Sequence, residues 1–218
     1  MIGNGAAMTR SEMGYVLTST SLLCTAGCRM SMEEHPILGE MIAVQAPDGT
    51  TIYGVVSGIQ VLDDGLVRLL ATTEPIDPYV IEDNRRYRTV PLEFTLTYIG
   101  FKKDELIIHQ LPPTPPLSLE SVYRASEHEI KAFLRAGKTG GYLRYLVGEK
   151  QTLNFDLVAA HFRHALQVFD PQEKQAWLEQ STRTLTHLYR NDYDTLQQLM
   201  HSLAESAMYS TQDEMTHE

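Results

Sequence analysis

Between Met13 and Leu111 the chain is built from short β-branched and aromatic runs separated by turn residues at near-regular spacing. The runs are Met13–Ser19, Gly39–Val44, Thr51–Ile59, Gly65–Ala71, Glu93–Gly100 and Leu106–Ile108. No helical period of apolar residues lies between them, so this half of the chain is restricted to an all-β sandwich or barrel. Pro47-Asp48-Gly49-Thr50 marks a hairpin, because proline presets φ and glycine supplies φ > 0. Asp63-Asp64-Gly65 predicts a second one, joining Ile59–Val61 to Leu66–Leu69. Leu22-Leu23-Cys24 is placed to pair back on the first strand after a turn at Ser19–Ser21. Gly54 and Gly58, inside a strand, require a bend or a close backbone approach.

Beyond Leu111 the period changes to helical. Ser126-Glu127-His128-Glu129 is a capping box, and Ile130, Phe133 and Leu134 continue the helix it opens. Phe155, Val158, Ala159, Phe162, Ala165 and Leu166 form one apolar stripe. Asp170-Pro171-Gln172-Glu173 combines an N-cap, an N1 proline and an N3 glutamate. Asn191-Asp192-Tyr193-Asp194 caps a last helix carrying Leu196, Leu199, Met200 and Leu203. Short connections imply antiparallel neighbours, hence a small helical bundle. The expected class is α+β: a leader over 1–12, a small antiparallel β-barrel over 13–116, a helical domain over 117–206 and a frayed tail over 207–218.

Composition narrows the function. Hydrophobic residues make up 43% of 218, enough for a proper core. A formal net charge of -10 argues against a bulk nucleic-acid binder. No apolar run reaches 18 residues, so no membrane span is expected, and no signal peptide is recognised. Two cysteines, Cys24 and Cys28, exclude a disulfide scaffold and point to a reducing cytoplasm; they are also too few for a structural zinc site.

Three local patterns invite chemistry. Ala132–Thr139 fits a relaxed Walker A pattern with Lys138 and Thr139 as phosphate and magnesium contacts. A phosphate loop must follow a strand and open a helix, whereas this stretch continues a helix and ends it at Gly137. No Walker B strand follows, so a nucleotide-binding protein using Ala132–Thr139 is the alternative reading and no cofactor is expected. His161 and His164 share a helix face and could take a metal only with a third ligand such as Asp156 or Glu173; structural histidines are the simpler reading. Arg85, Arg86 and Arg88 form a basic cluster around Tyr87, and Lys131, Arg135, Lys138 and Arg144 form a basic island in an acidic chain. The first is read as a solvated or interface loop rather than a phosphate or single-stranded nucleic-acid site, and the second as meeting an acidic partner surface rather than DNA held by a larger complex; direct nucleic-acid binding is not expected.

Gly14-Tyr15-Val16-Leu17-Thr18-Ser19, Ile52-Tyr53-Gly54-Val55-Val56 and Leu96-Thr97-Tyr98-Ile99-Gly100 together resemble the HAS barrel. This is the N-terminal domain shared by HerA-type DNA translocases and the catalytic subunits of rotary ATP synthases. Leu111–Pro116 followed by Val122–Ser126 is similar to the exit from that barrel, so the resemblance covers roughly residues 13–145. In the translocases a RecA-like ATPase core follows; here too little chain remains, and it is of the wrong kind. The resemblance implies a non-catalytic adaptor, with a HerA-like ATPase or a NurA-like nuclease as protein partner. A self-assembling ring of identical chains is a further alternative.

Overall fold

The computed structural model describes residues 11–30, 35–62, 90–137, 140–147 and 154–216, with positions 65, 68, 72, 78 and 79 between. Among the described residues seven strands are formed: β1 (Glu12–Ser19), β2 (Leu23–Met30), β3 (Met41–Gln45), β4 (Thr51–Val61), β5 (Val90–Lys103), β6 (Leu106–Ile108) and β7 (Ser121–Arg124). Their order is β2-β1-β7-β3-β4-β5-β6, and β2 also pairs with β5 along Leu23–Met30. Six strands therefore close into an antiparallel barrel, and β6 hangs on the outside of β5. Closure leaves no free edge within the ring.

The hairpin at Pro47–Thr50 forms as its residues predict: Gly49 has φ +83° and Asp48 Oδ1 accepts from the Thr50 N–H at 3.0 Å. The β1–β2 turn is held by Thr20, whose Oγ1 accepts from the N–H groups of Leu22 and Leu23. Gly54 and Gly58 lie beside the two register shifts between β4 and β5.

The strands differ in how many of their faces are covered. Val16, Cys24, Ala26, Ile42, Val44, Ile52, Val56, Phe94, Leu96, Tyr98 and Val122 fill the lumen. The opposite faces of β3, β4 and the later half of β5 carry Met41, Ala43, Tyr53, Val55 and Ile99, and these are buried too, under helices. Strands covered on both sides read as continuous apolar runs, which is the pattern of Met41–Val44 and Ile52–Val56. Among the described residues no helix packs on the outer faces of β1 and β2, and these strands alternate buried with more exposed positions.

Among the described residues after β7, five helices follow: α1 (Glu127–Arg135), α2 (Leu143–Val147), α3 (Phe155–Gln167), α4 (Pro171–Leu188) and α5 (Tyr193–Thr216). The caps stand where the sequence places them. Ser126 and Glu129 make a reciprocal capping box, and Asp170 Oδ1 accepts from Gln172 and Glu173. The helices share one apolar core with the outer barrel face, in which Phe133, Tyr142, Leu143, Val158 and Leu185 are buried.

Four sequence expectations change. The barrel does not end at 116: Ser121–Arg124 is the strand that joins β1 to β3, because its backbone groups find partners on both. Of the strand expected over Gly65–Ala71, the described positions show a bend at Gly65 and helical backbone at Arg68, and Thr72 just beyond is helical too, its Oγ1 donating to Arg68 O; the hairpin at Asp63-Asp64 lies outside the described residues. Glu12, assigned to the leader, already belongs to β1. The tail expected to fray from 207 continues α5 to Thr216, a stretch without glycine or proline to stop it.

Candidate interaction surface

The segment 116–120 is laced along β1. Ser19 Oγ donates to Pro116 O (2.6 Å), Ser118 Oγ to Leu17 O (2.9 Å), the Leu119 N–H to Val16 O (2.8 Å) and the Val16 N–H to Glu120 O (3.0 Å). Its two leucines stay outside: Leu117 is 66% and Leu119 75% exposed, next to Leu17 at 40%. Leu22 and Leu23 at the β1–β2 turn and Tyr15 on β1 are exposed as well. Leu17 lies across Gly27, whose missing side chain gives it room. Leu119 has φ +70°, a left-handed conformation that costs a bulky residue about 1–2 kcal/mol. Six large apolar side chains thus surround one hairpin, and the fold spends backbone strain in placing one of them.

The remaining polar groups are mostly committed to structure. His161 is fully buried; its Nδ1–H donates to Gly39 O (3.1 Å), which leaves Nε2 to accept from the Tyr142 hydroxyl (3.0 Å). Burial pushes its pKa down to about 4, so it is neutral. His164 is lowered too, chiefly by desolvation. The two histidines are brought to the barrel rather than to a third ligand: among the described residues no group of three His, Cys, Asp or Glu side chains is placed to hold a metal. Cys24 sits in the lumen with its thiol pushed up to about 11 by burial, an unreactive state.

Lys131 Nζ lies 2.6 Å from Glu173 Oε2 in close ionic contact without hydrogen-bond geometry, and Arg135 pairs with the other oxygen of the same carboxylate. Arg144 donates to His109 O (2.7 Å) and lies over the Tyr145 ring. Three of the four residues of the basic island are therefore engaged within the chain. Lys138 and Thr139 lie outside the described residues, as do Arg85, Arg86 and Arg88. Before Lys138, Ala132–Arg135 is the last turn of α1, and Gly137 follows its C-cap with φ +74°. A broad open cleft of about 740 Å³ flanks this turn, lined by Gly137, Gln180, Arg183, Thr184 and His187.

Sequence reasoning missed the apolar surface altogether. Its signal was present: the outward positions of an alternating strand, Tyr15 and Leu17, are apolar where polar residues are the rule. Comparison with protein-family models finds no match, and no curated protein matches the chain. Among the described residues no helix is long and apolar enough to cross a membrane.

Proposed function

We propose that this chain is a non-catalytic protein-binding module that docks through the apolar surface around the β1–β2 hairpin. The observation that carries the reading is Leu119, held in a left-handed conformation with its side chain in water. Strain of this kind persists where surrounding hydrogen bonds over-determine it, and it concentrates at functional positions. Several exposed large apolar side chains placed about one hairpin are a usual mark of a partner site. The filled lumen supports the same reading, because a barrel packed with its own side chains leaves no room there for a small ligand. By its resemblance to the HAS barrel, the partner is a HerA-like ATPase or a NurA-like nuclease, and the chain acts as their adaptor in the cytoplasm.

The test compares wild type with Leu119→Gly and Leu17→Asp in binding to a purified HerA-like translocase and a purified NurA-like nuclease. Light scattering on each variant follows self-association. Relief of the positive φ makes Leu119→Gly equal or higher in Tm, while both variants weaken partner binding at least tenfold. Unchanged binding in both variants refutes the surface. A concentration-dependent assembly of the chain alone, lost in Leu17→Asp, replaces the adaptor by a self-assembling ring.

A further inference from the structure

Three histidines stand at the boundary between barrel and helices, and two of them donate to a backbone carbonyl on the other side. His161 of α3 donates to Gly39 O, in the loop leading into β3, and His164 of the same helix lies against that loop beside Leu38. From the barrel side, His109, which follows β6, donates through Nε2 to Phe133 O of α1 at 2.9 Å. The rings are packed as well as bonded. His109 lies 4.5 Å from the Phe133 ring and 5.3 Å from Tyr142, and Tyr142 lies 5.6 Å from His161. We propose that these three side chains make the docking of the helices onto the barrel acid-sensitive, so that protonation releases the helical layer while the barrel persists.

The geometry makes the charged forms poor fits. On His161 the second proton would point at the Tyr142 oxygen, forcing the hydroxyl hydrogen to turn away into an apolar core with no acceptor. The groups facing His161 are the Gly39 carbonyl, the Tyr142 hydroxyl and His164, and no carboxylate acts on it. His109 faces the Phe133 carbonyl, the Tyr142 ring and the Arg144 guanidinium, a like charge once it is protonated. His164 has Glu40 in its favour but Arg163 and Arg124 against, and Glu40 is already paired with Arg124 at 2.5 Å.

All three shifts are downward from an ordinary 6.5, with desolvation the largest cause of each. A histidine with a depressed native pKa stabilises docking fully above 6.5. That contribution is lost as pH falls, tenfold in the docking equilibrium per pH unit, until the native pKa is reached. At pH 5 His161 alone moves the equilibrium about 30-fold toward release.

The chain carries its own reporters. Trp177, its one tryptophan, is buried on α4 against Phe162 and Phe169. Cys24 and Cys28 are buried in the barrel. We would titrate the full chain from pH 7.5 to 3.5, following Trp177 emission and the reaction of the thiols with 4,4′-dithiodipyridine, which proceeds in acid. The expected result is a red shift of Trp177 with a midpoint between pH 4 and 6.5 while the thiols stay protected. His161→Gln and His109→Gln should each lower that midpoint by about half a pH unit or more. If His161→Gln does not fold, His109→Gln alone decides. Simultaneous change of Trp177 and thiols, no red shift above pH 4, or a midpoint unmoved in the folded variants overturns the proposal.

Discussion

Gly39 and Gly49 offer a matched pair that separates backbone strain from packing. Their φ angles are +84° and +83°. A Cβ built on Gly49 meets nothing within 4 Å, whereas one built on Gly39 falls 2.4 Å from His161 N, 2.5 Å from the Ala160 carbonyl carbon and 2.8 Å from Ala160 Cβ. Gly49→Ala therefore carries only the left-handed penalty, about 1 kcal/mol. Gly39→Ala carries the same penalty and must also push α3 off the barrel by roughly 1 Å, since buried atoms have no free space to take up the overlap. Overpacking of this kind costs about 1–3 kcal/mol. The displacement also stretches the 3.1 Å bond from His161 to Gly39 O beyond hydrogen-bonding range, and an orphaned buried donor costs a further 1–3 kcal/mol or so. The expected destabilisation is about 4 kcal/mol, a Tm lower by roughly 10 °C for a chain of this size. Urea unfolding followed by Trp177 emission and by far-ultraviolet circular dichroism measures both variants. If Gly39→Ala proves no worse than Gly49→Ala, α3 is not seated on this loop as described.

Other perturbations are equally direct. Tyr142→Phe removes the hydroxyl that donates to His161 Nε2 and should cost about 1–3 kcal/mol, read as a lower urea midpoint with an unchanged slope. Asp170→Ala removes the acceptor for two N–H groups at the start of α4 and should cost about 1 kcal/mol, with Asp170→Asn recovering most of it. Because the native pKa of His161 is depressed, total stability should be highest above pH 6.5 and fall by roughly 3 kcal/mol from this group as pH drops to about 4; a flat urea midpoint over that range would contradict the burial. Glu173→Ala should free Lys131 and Arg135 and raise affinity for duplex DNA in low salt. Equal affinity in wild type and variant would mean that their charges are not masked by Glu173.

Much of the chain was legible because its signals are local. The capping box at Ser126 and Glu129, the cap and proline at Asp170 and Pro171, and the hairpin at Pro47–Thr50 each act across a few residues. Each sets backbone direction whatever surrounds it. The reading of 65–71 as a strand went astray on a short apolar run, which periodicity alone does not assign to helix or strand. The histidine pair shows the same limit from the site's side. Spacing puts His161 and His164 on one helix face, but their partners stand in the loop before β3, and Gly39 is 122 residues away from His161.

The sequence by itself determined local elements: most of the strand runs, the turn at Pro47–Thr50, the helix caps at Ser126, Asp170 and Asp192, and an acidic chain with two cysteines. Only the tertiary structure decided what those elements enclose. Barrel closure runs through β7, a four-residue strand with no pattern of its own beyond Val122, which is fixed by backbone groups of β1 and β3 from distant parts of the chain. Which strand faces are covered is likewise a competition among apolar surfaces for the same helices. The outer faces of β3, β4 and late β5 win it; Tyr15, Leu17, Leu22, Leu23, Leu117 and Leu119 are left in water. That remainder, hinted at locally only by the apolar outward positions Tyr15 and Leu17 and otherwise a product of packing, is the surface on which the proposed function rests.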